Sequence, residues 1–166
     1  LRSFFMQNII VVGMADLNVI NYPGILTTLG LGSCVGIALY DTINTVAGLA
    51  HVMLPDSKLI TNNSNEAKFV DTATVKLLNN MIKMGANKKY IKAKLAGGAQ
   101  MFAVTSNNDN MKIGDRNIEA CLKVLNELRI PIVSKDVGDK YGRTVKLYSD
   151  DGKFVIKTIG HGTKTI

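Results

Sequence analysis

From Val35 to Met53 the chain runs VGIALYDTINTVAGLAHVM, apolar almost throughout and broken only by the polar stretch Asp41–Asn44. Short apolar segments rich in β-branched residues and divided by a turn read as strands. Two buried strands are therefore expected, Val35–Tyr40 and Thr45–Met53. Directly before them lies Gly30-Leu31-Gly32-Ser33-Cys34, a glycine-rich turn that delivers a cysteine to the start of the first strand.

The flanking sequence supplies more strands and two helices. Asn8–Val12, the alternating Asp16–Ile20 and Ile25–Leu29 read as strands, with a turn signal at Asn21-Tyr22-Pro23-Gly24. Leu59–Asn65 is polar and reads as a loop. A helix is expected from Glu66 to Met84, because Ala67, Val70, Thr74, Leu77, Leu78 and Met81 recur on one face and Gly85 follows as a stop. Tyr90–Ala96 reads as a strand running into Gly97-Gly98, and Asp115–Leu128 as a second helix burying Ile118, Cys121, Leu125 and Leu128. Pro131 cannot continue that helix, so Pro131–Asp136 reads as a strand. Thr144–Tyr148 and Lys153–Ile159 pair as a hairpin across Asp150-Asp151-Gly152. Many strands with two substantial helices imply a mixed α/β layered domain. Residues 6–160 form that single domain, with 1–5 as an N-terminal extension or cloning remnant and 161–166 as a C-terminal tail.

A chain of 166 residues, 46% hydrophobic and 20% charged, has the balance of one folded domain. No apolar run reaches the ~18 residues that span a bilayer, and the longest, Thr28–Tyr40, is interrupted by glycines and a serine. No signal peptide is evident, so a cytoplasmic protein without membrane insertion is expected. Cys34 and Cys121 form neither a disulfide framework nor a CxxC motif, and His51 and His161 lack metal-ligand spacing. No metal is expected. The net charge of +7 suits a solvated surface or an acidic protein partner. Scattered lysines, 6% aromatics and no Trp argue against nucleic acid. The glycines around Cys34 depart from GxGxxG and no GK[ST] is present, which excludes a dinucleotide or phosphate loop.

Cys34 is the candidate nucleophile. Glycines at 30 and 32 allow a sharp turn, exposed N–H groups at Gly32 and Ser33 suit an oxyanion, and a thiol needs a base near neutral pH. His51 lies on the next strand, where a short turn between neighbours brings it within reach of Cys34. The same residues also fit a small core cysteine and a satisfied buried histidine, and spacing alone leaves both readings open. Cys121 falls on the apolar stripe of a helix and reads as core. His161, flanked by glycines near the C-terminus, reads as exposed.

Six blocks in order resemble the CheD chemotaxis proteins from Met6 to Ile159. Thr28–Val35 is similar to their nucleophile segment and Ala50–Ser57 to their histidine segment. Phe69–Ala73 resembles the helix start, with Phe69 where tyrosine is usual. Lys94–Phe102 is similar to the GGAxMF block and Ile113–Asn117 to IGxRN. Asp136–Gly138 through Gly142-Arg143 resembles the late D-x-G-G…GR block, with Asp139 where a second glycine is common.

The resemblance implies a fold similar to the cytotoxic necrotising factor class of cysteine deamidases, a layered α/β sandwich with mixed, largely antiparallel sheets. It implies a receptor glutamine deamidase in which Cys34 is the nucleophile, His51 the general base and Thr28, rather than Thr27, the residue orienting the imidazole. Neither metal nor organic cofactor is required. Implied partners are the cytoplasmic helices of methyl-accepting chemoreceptors and a CheC-type phosphatase, with Gly97, Gly98, Ala99, Met101 and Phe102 as the candidate shared contact. Two alternatives remain at this level. One is a mainly non-catalytic regulator that binds the phosphatase or receptor helices; the other is a thiol methylesterase or amidase acting on other glutamyl proteins.

Overall fold

The structure, a computed structural model, describes residues 8–101 and 112–166. The expected extension 1–5 and Phe102 lie outside the described residues. Among the described residues, ten strands and two α-helices follow in the order β1 (Asn8–Val11), β2 (Asp16–Asn21), β3 (Gly24–Leu31), β4 (Val35–Asp41), β5 (Val46–Val52), α1 (Val70–Lys83), β6 (Lys92–Gly97), α2 (Ile113–Glu127), β7 (Ile132–Val137), β8 (Arg143–Tyr148), β9 (Phe154–Thr158) and β10 (Gly162–Thr165).

The strands build two five-stranded sheets, ordered β1-β3-β8-β9-β10 and β2-β5-β4-β6-β7. All pairings are antiparallel except β1 with β3 and β6 with β7. In β4 and β5 every residue is buried, which explains why their sequence is a continuous apolar run. Alternate side chains serve two different cores. Val35, Ile37, Leu39, Val46, Ala50 and Val52 meet the apolar faces of α1 and α2. Ala38, Tyr40, Ala47 and Leu49 meet Leu26, Val145, Leu147, Phe154 and Ile156 of the other sheet. The result is three layers: helices, central sheet, outer sheet. Each fully buried side chain of the size of Leu49 or Phe154 stabilises the stack by roughly 1.5–3 kcal/mol.

Three local differences from the sequence reading have physical causes. The first helix starts at Val70 rather than Glu66, because Phe69 is extended (φ −111°) and bridges Leu54. That bridge carries the chain alongside the end of β5 before the helix can begin, with the Val70 N–H donating to the Leu54 carbonyl at 2.9 Å. In α2 the buried set is Gly114, Asn117, Cys121 and Leu125, whereas Ile118 and Leu128 are half-buried. The segment expected to be a tail contains β10, which pairs with β9 and completes the outer sheet. Its four residues are all exposed, so no apolar pattern announces it.

Candidate active site

Two sheets contribute to one site. Gly36 of β4 stands opposite His51 of β5 in the antiparallel ladder, and Cys34 lies two residues before Gly36. Cys34 and His51 are therefore diagonal neighbours on the face turned toward the outer sheet, a separation that long side chains span. Gly36 between them lets the Leu31 side chain pack close, its Cδ1 3.1 Å from where a Cβ would stand. From the outer sheet, β3 brings Thr28 against the histidine.

The contact orders the imidazole. Thr28 Oγ1 lies 2.7 Å from His51 Nδ1 and 2.6 Å from the Val12 carbonyl oxygen. A hydroxyl has one hydrogen, and a carbonyl can only accept it. Thr28 therefore donates to Val12 and accepts from Nδ1–H, which leaves Nε2 with the basic lone pair. That atom is buried and has no partner among the described residues. Thr27, the neighbouring threonine, faces the other way and donates to the Val145 carbonyl at 2.8 Å. Asp16 of β2 also stands opposite His51, yet it is exposed and its carboxylate accepts from the Leu17 N–H at 2.8 Å. The group against the ring is a neutral hydroxyl.

Depth grades through the three residues. Thr28 is 0% exposed, His51 1% and Cys34 8%, so the thiol stands nearest to solvent. Burial pushes the Cys34 thiol above its ordinary range, opposed by its own backbone N–H, and burial holds His51 below the usual imidazole value. Both shifts favour the uncharged form of the side chain. Cys121 is a fully buried core residue of α2 whose thiol burial pushes far up. His161 is exposed and stacks on Tyr141 with ring centroids 3.8 Å apart.

The turn before Cys34 differs in detail from expectation. Gly30 has φ +67° and sits in the irregularity of β3 between Thr28 and Leu31, but Gly32 does not take positive φ. Gly32 instead lies beneath Met101, whose Cγ would be 3.4 Å from a Cβ there. Ser33 is held through its carbonyl by Asn117 Nδ2 at 3.0 Å.

Gly97, Gly98 and Ala99 are buried, which corrects their assignment as an exposed contact surface. Gly97 has φ +106°, and a Cβ there would collide with the Cys34 carbonyl oxygen. The Gly98 N–H donates to that oxygen at 2.8 Å, and the Ala99 N–H donates to the Gly32 carbonyl at 2.8 Å. The glycine block is thus the backrest of the cysteine turn. Of the expected contact residues in the described part, only Met101 reaches the surface, at 48% exposure.

Two buried polar residues next to the site escaped the sequence reading. Asn117 of α2 is fully buried and joins the cysteine turn to the end of β5. Arg143 of β8 is buried and pairs with Asp136 of β7 at 3.1 Å, linking the two sheets beside the glycine block. A polar residue on the apolar stripe of a helix was the available signal for Asn117.

The family described as CheD chemotactic sensory transduction matches residues 53–158. A probable chemoreceptor glutamine deamidase CheD of Caldanaerobacter subterraneus subsp. tengcongensis is 58% identical, covering 96% of this chain and 99% of the relative. A protein of the same description from Lachnoclostridium phytofermentans is 51% identical, over 97% of this chain and 100% of that one. The chemoreceptor glutamine deamidase CheD of Halalkalibacterium halodurans is 50% identical, with the same coverage of 97% and 100%.

Proposed function

This chain belongs to the CheD family, and on that premise we propose that it hydrolyses glutamine side-chain amides of chemoreceptors through a Cys34 thioester. The observation that carries the reading is the Thr28–His51 contact, which keeps the proton on Nδ1 and leaves Nε2 as the basic nitrogen. His51 Nε2 takes the thiol proton as sulfur attacks the amide carbon. The developing oxyanion is met by backbone N–H groups of the Ser33–Cys34 turn. The imidazolium returns its proton to the departing nitrogen, so ammonia leaves and a thioester remains. Water, deprotonated by the same Nε2, then attacks the thioester carbon. Sulfur departs with the proton held on His51, and the product is glutamate.

The neutral hydroxyl suits this cycle. Thr28 orients the ring without the negative charge that would stabilise imidazolium strongly, so the proton is handed on. A receptor helix bearing the glutamine would approach across Met101, the exposed apolar side chain above the turn. A CheC-type phosphatase competing for the enzyme would meet this same rim.

The test is peptide mass analysis of a chemoreceptor cytoplasmic fragment after incubation with the enzyme. Conversion of specific glutamines adds about one dalton each and releases ammonia. Cys34→Ala is expected to abolish both, and Cys121→Ala to retain wild-type turnover. Equal loss in the two variants would overturn the assignment. Binding of the fragment without conversion would favour a regulatory module.

A further inference from the structure

Asn117 has no part in the proton transfers described above, yet it is fully buried and spends both amide hydrogens on the site. Nδ2 donates to the Ser33 carbonyl and to the Met53 carbonyl, each at 3.0 Å. These two carbonyls lie just beyond Val35 and Val52, the last pair of the β4–β5 ladder at this end. One side chain therefore closes the ladder where backbone pairing stops. Asn117 Oδ1 has no partner among the described residues. Leucine would fill a similar volume without leaving a buried acceptor unpaired, so packing alone does not account for the amide.

The carbonyls on either side are held in the same manner. Gly32 O accepts from the Ala99 N–H and Cys34 O from the Gly98 N–H, both at 2.8 Å. Three successive carbonyls, 32, 33 and 34, are thus all drawn toward the glycine block and α2. In a planar trans peptide the C=O and the next N–H point in opposite directions. Holding the carbonyls of Gly32 and Ser33 inward turns the N–H groups of Ser33 and Cys34 outward. Neither donates to another described residue. Two donors with no partner among the described residues, set beside a nucleophile, are what a tetrahedral oxyanion requires.

We propose that Asn117 is a positioning residue for the deamidation: it locks the Ser33–Cys34 peptide so that its N–H serves as an oxyanion donor. Through Met53 it also ties the His51 strand to the same anchor. This rests on the deamidase reading and assigns within it a role to a helix residue remote from the substrate.

The test compares wild type, Asn117→Ala and Asn117→Leu in two reactions. One is deamidation of a chemoreceptor cytoplasmic fragment. The other is alkylation of Cys34 by iodoacetamide, in which sulfur displaces iodide at a saturated carbon and no oxyanion forms. Loss of the lock is expected to lower kcat roughly 100-fold, with KM held within about twofold, as for loss of a group acting only in the transition state. Alkylation should stay within about threefold of wild type, because it does not use the donor. Retention of wild-type kcat, or a parallel fall of alkylation and kcat, would overturn the proposal. A wild type that releases no ammonia would instead overturn the deamidase reading, and this inference with it.

Circular dichroism checks that the variants fold. Should neither fold, wild type decides by nuclear magnetic resonance of the Asn117 side-chain amide. Its two protons must exchange slowly. They must also shift when Cys34 adds to a peptide carrying an aldehyde at the glutamine γ-position, placing a hemithioacetal oxygen at the donor. Fast exchange, or resonances that do not move, would overturn the proposal.

Discussion

A hydroxyl carries one proton, and the Val12 carbonyl takes the one on Thr28. The tautomer of His51 follows, and with it the availability of Nε2. Thr28→Val removes the acceptor for Nδ1–H and frees the ring to turn. It should lower kcat roughly 10- to 100-fold, whereas Thr28→Ser keeps most activity, as steady-state ammonia release would show. The charge state of the pair has its own consequence. Burial raises the thiol and lowers the imidazole, which disfavours a thiolate–imidazolium pair at rest. Alkylation of Cys34 should therefore keep rising with pH beyond neutrality. Because the His51 value is lowered, its basic form persists to lower pH, and deamidation should decline only below the ordinary imidazole pKa of about 6.5. A flat alkylation profile from about pH 5 to 8 would reveal an ion pair instead.

At the scale of elements, the end of β6 with Gly98 and Ala99 packs as one unit with the turn that leads into β4. The end of β6 approaches the Cys34 carbonyl so closely that no side chain fits at Gly97, and its φ of +106° disfavours one independently. Gly97→Ala should lower thermal stability and turnover together, by about 2 kcal/mol or more in stability. Preserved melting and activity would show that the turn shifts freely. The adjoining segment explains an oddity of sequence. Asp139 occupies a position with φ +57°, which glycine adopts freely and aspartate tolerates. Its carbonyl accepts from the Gln100 N–H at 2.9 Å, so the two glycine-rich segments are tied to each other.

For the whole molecule, the active end is where the two sheets are joined by charge. Arg143 of the outer sheet donates to Asp136 of the central sheet at 3.1 Å and to the Gly138 carbonyl at 3.0 Å. Lys164 of β10 meets the other Asp136 oxygen at 2.9 Å. Burial pushes the Asp136 carboxyl up, but Lys164 and Arg143 outweigh it and hold the carboxyl below its ordinary range. A depressed carboxylate contributes stability above its unfolded pKa of about 4, and this is lost as pH falls through the folded value. Asp136→Asn leaves Arg143 buried without its countercharge. It should cost about 3 kcal/mol near neutral pH and flatten the acid dependence of stability, measured by denaturant melts across pH.

Local chemistry made much of this readable in one dimension. The apolar run of β4 and β5, the stripes of α1 and α2, and the hairpin β8–β9 follow from periodicity and turn residues. Ordered motif blocks singled out Cys34, His51 and Thr28. Only tertiary structure decided the rest, because it depends on which surfaces meet. Strand order, the stacking of two sheets and the pairing of the fully exposed β10 have no signature in hydrophobic spacing. The glycine block looked like a surface because glycine has no side chain to disclose burial. Its real contacts are backbone donors pressed against Gly32 and Cys34. Asn117 was hidden for the same reason. A polar residue on an apolar stripe is satisfied only by carbonyls that folding brings to it from two distant strand ends.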